Sequence, residues 1–237
     1  LMDTDWNWSA YWSYTNGVTR YFSADLTQNY FDDPRVIEAM QFVQDGIYKD
    51  KYAPNPTVAT EPSIWYWFAN NRCAMNRATW QQFGDDYEGV TFDVAPVPKK
   101  TQWATTFYGL GVGVNAKTVA PDEAVAFAKT MNDKFLLETA AEGYMLPAKK
   151  SLVEDYIESR PDRDGDVLSL IAESARPFQW DLGWHPGWNT DYSAWVTDMD
   201  RIIMPAYDKW QRKQLTAREM LTKLAADLRV YAEKNIK

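Results

Sequence analysis

Apolar positions recur along this chain mainly at helical spacing, with a few short alternating runs between. Val36, Ile37, Met40, Val43 and Ile47 repeat every three or four residues behind Asp32-Asp33-Pro34. Acids cap the free N–H groups of a first helical turn, and proline fits its first position. The pattern therefore predicts a helix near 34–50 with one buried face. Ala53-Pro54-Asn55-Pro56 ends it. Pro121 opens another helix, with Val125, Ala128 and Met131 on one side, and Gly143 ends the helix that follows. Trp195, Met199, Ile202 and Ile203 mark a helix from about 191 to 207. Thr216 to Glu219 reads as a capping box, in which hydroxyl and carboxylate each satisfy a backbone donor. It opens a last helix with a stripe of Met220, Leu221, Leu224, Leu228 and Tyr231.

Extended segments are fewer. Val90–Val97 alternates and stops at Pro98, as a strand would. Residues 105–115 form a second β-prone run, whose glycines at 109, 111 and 113 suggest a bend or a close backbone approach. Ser63–Asn70 reads as a short helix carrying Trp65, Trp67 and Phe68, and Cys73–Asn76 as a short strand. Residues 5–22 are aromatic and broken by the turn signal Asn16-Gly17. As an extended strand they would hold Trp6 and Trp8 on one face. Residues 161–165 are a polar turn, and 176–189 a loop dense in Trp, Pro and Gly. The sum is a helix-rich α/β chain. Its strands are too few for a self-contained sheet, so the chain reads as a piece of something longer.

Composition narrows the chemistry. Hydrophobic residues make up 46% and charged residues 24% of 237 positions, enough apolar surface to build a core. No apolar run reaches the roughly 18–20 residues that span a bilayer. Twenty-five basic against 33 acidic residues leave a net charge of −8, which repels phosphate backbones and argues against nucleic acid. One cysteine, Cys73, excludes an internal disulfide. One histidine, His185, makes a zinc site improbable and leaves a single candidate base for any triad. Asp162-x-Asp164-x-Asp166 is a weak partial match to a calcium loop. No metal or cofactor is expected. The excess is in tryptophan, at twelve positions. Aliphatic side chains fill a core with fewer polar atoms to satisfy, so the surplus indoles ask for a ligand.

Five segments carry a family resemblance: FDDPRVIEAMQFVQDGIYKDKYAPNP (31–56), FANNRCAMNRATW (68–80), FDVAPVP (92–98), YGLGVGVNAKT (108–118) and GYMLPAKKS (143–151). Their order and spacing resemble family 1 extracellular solute-binding proteins, the sugar receptors of ABC importers, of maltose-binding-protein type. Two departures stand out. AMNRATW (74–80) is shorter than the family's pattern there, and residues 176–189 are richer in tryptophan. The resemblance implies a two-lobed periplasmic-binding-protein-like fold of type II. The chain would be its C-terminal three-fifths, lacking the first part of the N-terminal lobe. Residues 1–110 and 153–237 would form the C-terminal lobe, and 111–152 would return to the N-terminal one.

The implied function is capture of a carbohydrate, with an oligosaccharide expected, in a cleft between lobes. Aromatic faces would cover the C–H faces of sugar rings and polar groups would hold their hydroxyls. Trp80 is the first candidate platform, and Trp195 the second, since a tryptophan near that point packs on sugar in the family. Trp6, Trp8 and Trp12, with Asn7 among them, lie where the family's chain enters the second lobe beside the cleft. Tyr108 and Gly109 lie at the end of a cleft-facing strand. Arg77 stands close to Trp80. Trp184, His185 and Trp188 occupy the Trp-rich loop, where costly aromatics suggest recognition. Trp65, Trp67, Trp103 and Trp210 are assigned to packing or surface. The implied partners are the sugar and the importer's permease subunits. The implied location is outside the cytoplasmic membrane, periplasmic or lipid-tethered, with the full-length protein a monomer. Competing readings are a glycoside hydrolase, which needs two carboxylates about 5–10 Å apart across the scissile bond, and a free-standing carbohydrate-binding module, mostly β-sandwiches.

Overall fold

A computed structural model describes residues 6–23, 27–55, 64–77, 89–107, 112–131, 150–177 and 192–235. In chain order these contain α1 (Trp6–Thr15), α2 (Pro34–Tyr48), α3 (Ile64–Ala69), β1 (Thr105–Phe107), α4 (Pro121–Thr130), α5 (Val153–Glu158), α6 (Gly165–Glu173), β2 (Ala175–Pro177), α7 (Tyr192–Gln211) and α8 (Ala217–Asn235). A single 3₁₀ turn, Lys150–Leu152, precedes α5.

The core is built from both ends of the chain. Tyr11, Tyr14, Phe31, Val36, Met40 and Val43 from the first fifty residues pack with Ile203, Tyr207, Trp210, Met220, Leu221, Leu224 and Leu228. The aromatic rings stack or meet edge-on, Tyr21 on Phe31 at 5.1 Å and Tyr207 on Trp210 at 5.0 Å. Polar stitches fix this arrangement. Asn29 Nδ2 donates to the Ala225 carbonyl at 3.0 Å. Gln44 Nε2 donates to the carbonyls of Trp210 and Leu215, both at 2.9 Å. Arg229 pairs with Asp32 at 2.7 Å.

The predicted α2 forms with its foreseen buried face, Val36, Ile37, Met40, Val43 and Ile47. Asp33 is its N-cap and accepts from Arg35 N, with Pro34 at the first helical position. The Thr216–Glu219 capping box is present. The Glu219 carboxylate accepts from Thr216 N at 2.8 Å, and Thr216 Oγ1 accepts from Glu219 N at 3.2 Å. α7 spans the predicted helix and runs four residues beyond, through Pro205.

Four expectations are corrected. Residues 6–15 are a helix, not an extended strand. In a helix two residues are about 200° apart, so positions 6 and 8 lie on nearly opposite faces. Positions 8, 11, 12 and 15 share one. Residues 90–97 pair with no strand among the described residues. They alternate in exposure, but Val94 turns in against Tyr156 and Leu168, under α5 and α6. Cys73–Asn76 is likewise irregular, and 112–115 continues no strand after β1. A strand needs a partner for its N–H and C=O groups, which alternation alone does not supply. Finally, α5, α6 and β2 were not foreseen. Asp164 caps α6 by accepting from Asp166 N and Val167 N. Asp162 pairs with Arg160 and Arg163. The acidic run is thus committed to arginines and a helix cap.

β1 and β2 form a parallel pair, Thr105 opposite Ala175 and Phe107 opposite Pro177. α4 contrasts with everything above. No residue of it is buried, although its pattern is amphipathic. Phe127 is 64% and Val125 42% exposed, and Val119 just before it is fully exposed.

Candidate functional site

α1 is the element that carries most of the described candidates, and its sequence explains its placement. Asn16-Gly17 ends it in a Schellman arrangement, with Gly17 N donating to the Tyr14 carbonyl and Val18 N to that of Ser13. Gly17 has φ +86°, a conformation open to glycine at little cost. The remaining C-terminal carbonyls are satisfied by a distant segment. Thr101 N and Oγ1 donate to the Thr15 carbonyl at 3.0 and 3.1 Å, and Gln102 Nε2 to that of Tyr14 at 2.8 Å. Asn16 Nδ2 donates in turn to the Arg35 carbonyl and to Glu38. Glu38 also pairs with Lys100. The hydrogen bonds from Lys100 and Asn16 hold its carboxyl below the usual carboxylate range. The end of α1 is thereby locked to α2 and to the stretch that becomes β1.

Trp12 is half-buried against the core. Its ring stands 4.8 Å from Tyr11 and edge-on to Phe42 at 5.4 Å. Its indole N–H is shielded from water without an acceptor. Arg77 is brought to the same helix across sixty-odd residues of sequence, with its guanidinium 5.4 Å over the Tyr11 ring. A cation over an aromatic face is worth roughly 0.5–2 kcal/mol, depending on how dry the site is. Tyr11, the ring under Arg77, is buried in the core and was not singled out in the sequence reading. The signal lay in its helical spacing from Trp8, hidden once the segment was read as extended.

Trp6, Asn7 and Trp8 lie in the first turns of α1, and Trp195 in the first turn of α7. Trp80, Tyr108, Gly109, Trp184, His185 and Trp188 lie outside the described residues. The segments holding Tyr108 and Gly109, and Trp184, His185 and Trp188, each follow a described strand. β1 and β2 end in register at Phe107 and Pro177, so residues 108 and 178 follow from the same end of the strand pair. Ligands of parallel α/β units gather at the carboxyl ends of their strands. Among the tryptophans assigned to packing, Trp210 is fully buried. Trp67 and Trp103 instead serve as faces for Arg72 and Lys99, at 4.9 and 4.8 Å. Among the described residues no group of His, Cys, Asp and Glu could hold a metal. No described helix is long and apolar enough to cross a membrane.

Comparison with protein-family models finds no match, and comparison with curated proteins finds none. Solved structures do match. The ABC substrate-binding protein Lmo0181 from Listeria monocytogenes, in complex with cycloalternan, superposes with a TM-score of 0.76 at 19% identity over 98% of this chain. Maltose-bound T. maritima MalE3 does so with a TM-score of 0.65 at 20% identity over 94%. The chain spans 58% and 56% of the lengths of these two proteins. It therefore has the fold of one part of a two-lobed binding protein.

Proposed function

We propose that this chain is the C-terminal part of a carbohydrate receptor for an ABC importer, which closes on an oligosaccharide and makes or breaks no bond. The observation that supports this most is the match of almost the whole chain to two proteins, one solved with cycloalternan and one with maltose bound. The candidate residues fit that use. α1 carries Trp6, Asn7, Trp8 and Trp12, with Arg77 laid on its Tyr11 ring. The β1–β2 edge launches the segments holding Tyr108, Gly109, Trp184, His185 and Trp188. Trp80 and Trp195 are the stacking platforms in this reading. Affinity comes from the ring area covered, and specificity from amide, hydroxyl and backbone groups that meet sugar hydroxyls.

Residues 1–110 and 153–237 would form the second lobe, and 111–152 a return into the first. The exposed apolar side of α4 supports this, since Val119, Val125 and Phe127 would meet first-lobe polypeptide that the described residues do not supply. Contacts from both lobes would favour the closed state and present it to a permease outside the cytoplasmic membrane.

The test is a tryptophan-fluorescence titration with maltose and with cycloalternan. A saturable shift that Trp80→Ala and Trp195→Ala each weaken tenfold or more supports the reading. Binding that neither substitution alters would remove both platforms from it.

A further inference from the structure

Two candidate residues from distant segments meet on one ring. Tyr11 is 2% exposed, and its ring centroid stands 4.8 Å from that of Trp12. The Arg77 guanidinium lies 5.4 Å from the centre of the same ring. Tyr11 thus joins the half-buried Trp12 of its own helix to a half-buried arginine from the stretch after α3.

Other cations stand over rings in this protein as fasteners. Arg72 and Lys99 reach Trp67 and Trp103, each within about a turn of chain. Arg163 lies 4.3 Å over Phe92, donates to the Phe92 carbonyl at 2.8 Å and pairs with Asp162. Arg77 crosses sixty-odd residues to a buried ring, on the helix that also carries Trp6, Asn7, Trp8 and Trp12. A cation over a ring in dry surroundings is held more firmly than one in water.

The ring is a fixed base. Tyr11 lies about one turn before the end of α1, which is tied by Thr101, Gln102 and the Asn16 bond to the Arg35 carbonyl. An arginine free in water has many rotamers to lose when it meets a ligand. One already laid on a ring has lost them beforehand, so its fork of N–H groups is set in advance. The attraction is between charge and ring quadrupole, so it does not itself use up the N–H donors.

We propose that Tyr11 is a positioning residue of the sugar site: its buried ring holds Arg77 beside Trp12, so that the guanidinium N–H groups donate to sugar hydroxyl oxygens. This rests on the receptor reading above. Tyr11 itself touches no sugar and acts through Arg77.

Isothermal titration calorimetry with maltose and with cycloalternan tests this, on Tyr11→Phe and on chains carrying mono-, di- and trifluorinated phenylalanine at position 11. Fluorine drains negative charge from the ring face and hardly changes ring size, so packing stays and the hold on a cation fades. Tyr11→Phe should bind within about twofold of the parent. The trifluoro form should bind about three- to tenfold more weakly, with the others graded between. Arg77→Met should lose at least as much, and in that background fluorination should change nothing. Circular dichroism should show unchanged helix content throughout. A trifluoro form that binds like Tyr11→Phe would overturn the proposal, as would equal losses on fluorination with and without Arg77. A parent that binds neither sugar would sink the receptor reading and this use of Arg77 with it. A parent that binds, with no dependence on fluorine, would sink the positioning role alone.

Discussion

Gln44 lies on the buried side of α2, where its neighbours are Met40, Val43 and Ile47. Its amide earns that place by donating to two carbonyls, that of Trp210 at the end of α7 and that of Leu215 in the turn to α8. Replacing it with Leu keeps the volume and strands both acceptors. Each lost buried bond costs about 1 kcal/mol and more where the acceptor stays dry, so Gln44→Leu should lower unfolding free energy by about 2–3 kcal/mol, read as a lower urea midpoint at unchanged slope. This role was not legible in the sequence. A glutamine on an apolar stripe reads as a phase slip until its partners, more than 160 residues away, are known. Tryptophan was sorted better. Its surplus pointed to recognition, and two of the indoles assigned to packing or surface behave so, Trp210 wholly buried and Trp67 facing Arg72. Residue type reports what a ring can do, and the helix phase decides which it does.

Local chemistry was most legible where a helix begins. The Asp33-Pro34 start and the Thr216–Glu219 box use bonds within three or four residues, so sequence carries them whole. Glu219 is held below its ordinary pKa by backbone and side-chain hydrogen bonds from Thr216. A depressed carboxyl stabilises the fold above its unfolded pKa and loses that stabilisation as pH falls through the folded one. Glu219→Gln should therefore flatten the fall in melting temperature below about pH 4.5 and lower it slightly at pH 7. The parent and variant curves should converge in strong acid. Elements that depend on distant partners were misread. Aromatic residues favour strands, and α1 was taken for one, because its stabilising contacts are Thr101, Gln102 and α2. The alternation of 90–97 was real, but it faces two short helices instead of a sheet. α6 did have a legible start in Asp164, with Val167, Leu168 and Ile171 at helical spacing behind it.

At the scale of the molecule, five ordered segments were enough to indicate the fold, although overall identity to the matching structures is only 19–20%. The candidate site was less legible, since its candidate residues are spread over segments far apart in sequence, from α1 to the start of α7. α4 tells the two scales apart. Val125→Lys with Phe127→Lys should change this chain's own stability by under about 0.5 kcal/mol, as exposed substitutions do. In a two-lobed protein the same pair should lower the melting temperature by several degrees, which differential scanning calorimetry on both forms would show. Ending the chain before Thr216 should instead abolish cooperative unfolding, because Met220, Leu221, Leu224 and Leu228 complete the core. That core has a consequence for how the protein is made. Its two halves are the first fifty residues and the last thirty-odd, and a ribosome adding about 5–20 residues per second separates them by on the order of 10 s or more. Through that interval Tyr11, Tyr14, Phe31 and Val43 lack the α7 and α8 side chains that complete their burial. A nascent chain of this design cannot close its core until α7 and α8 have left the ribosome, an interval in which chaperones can hold it.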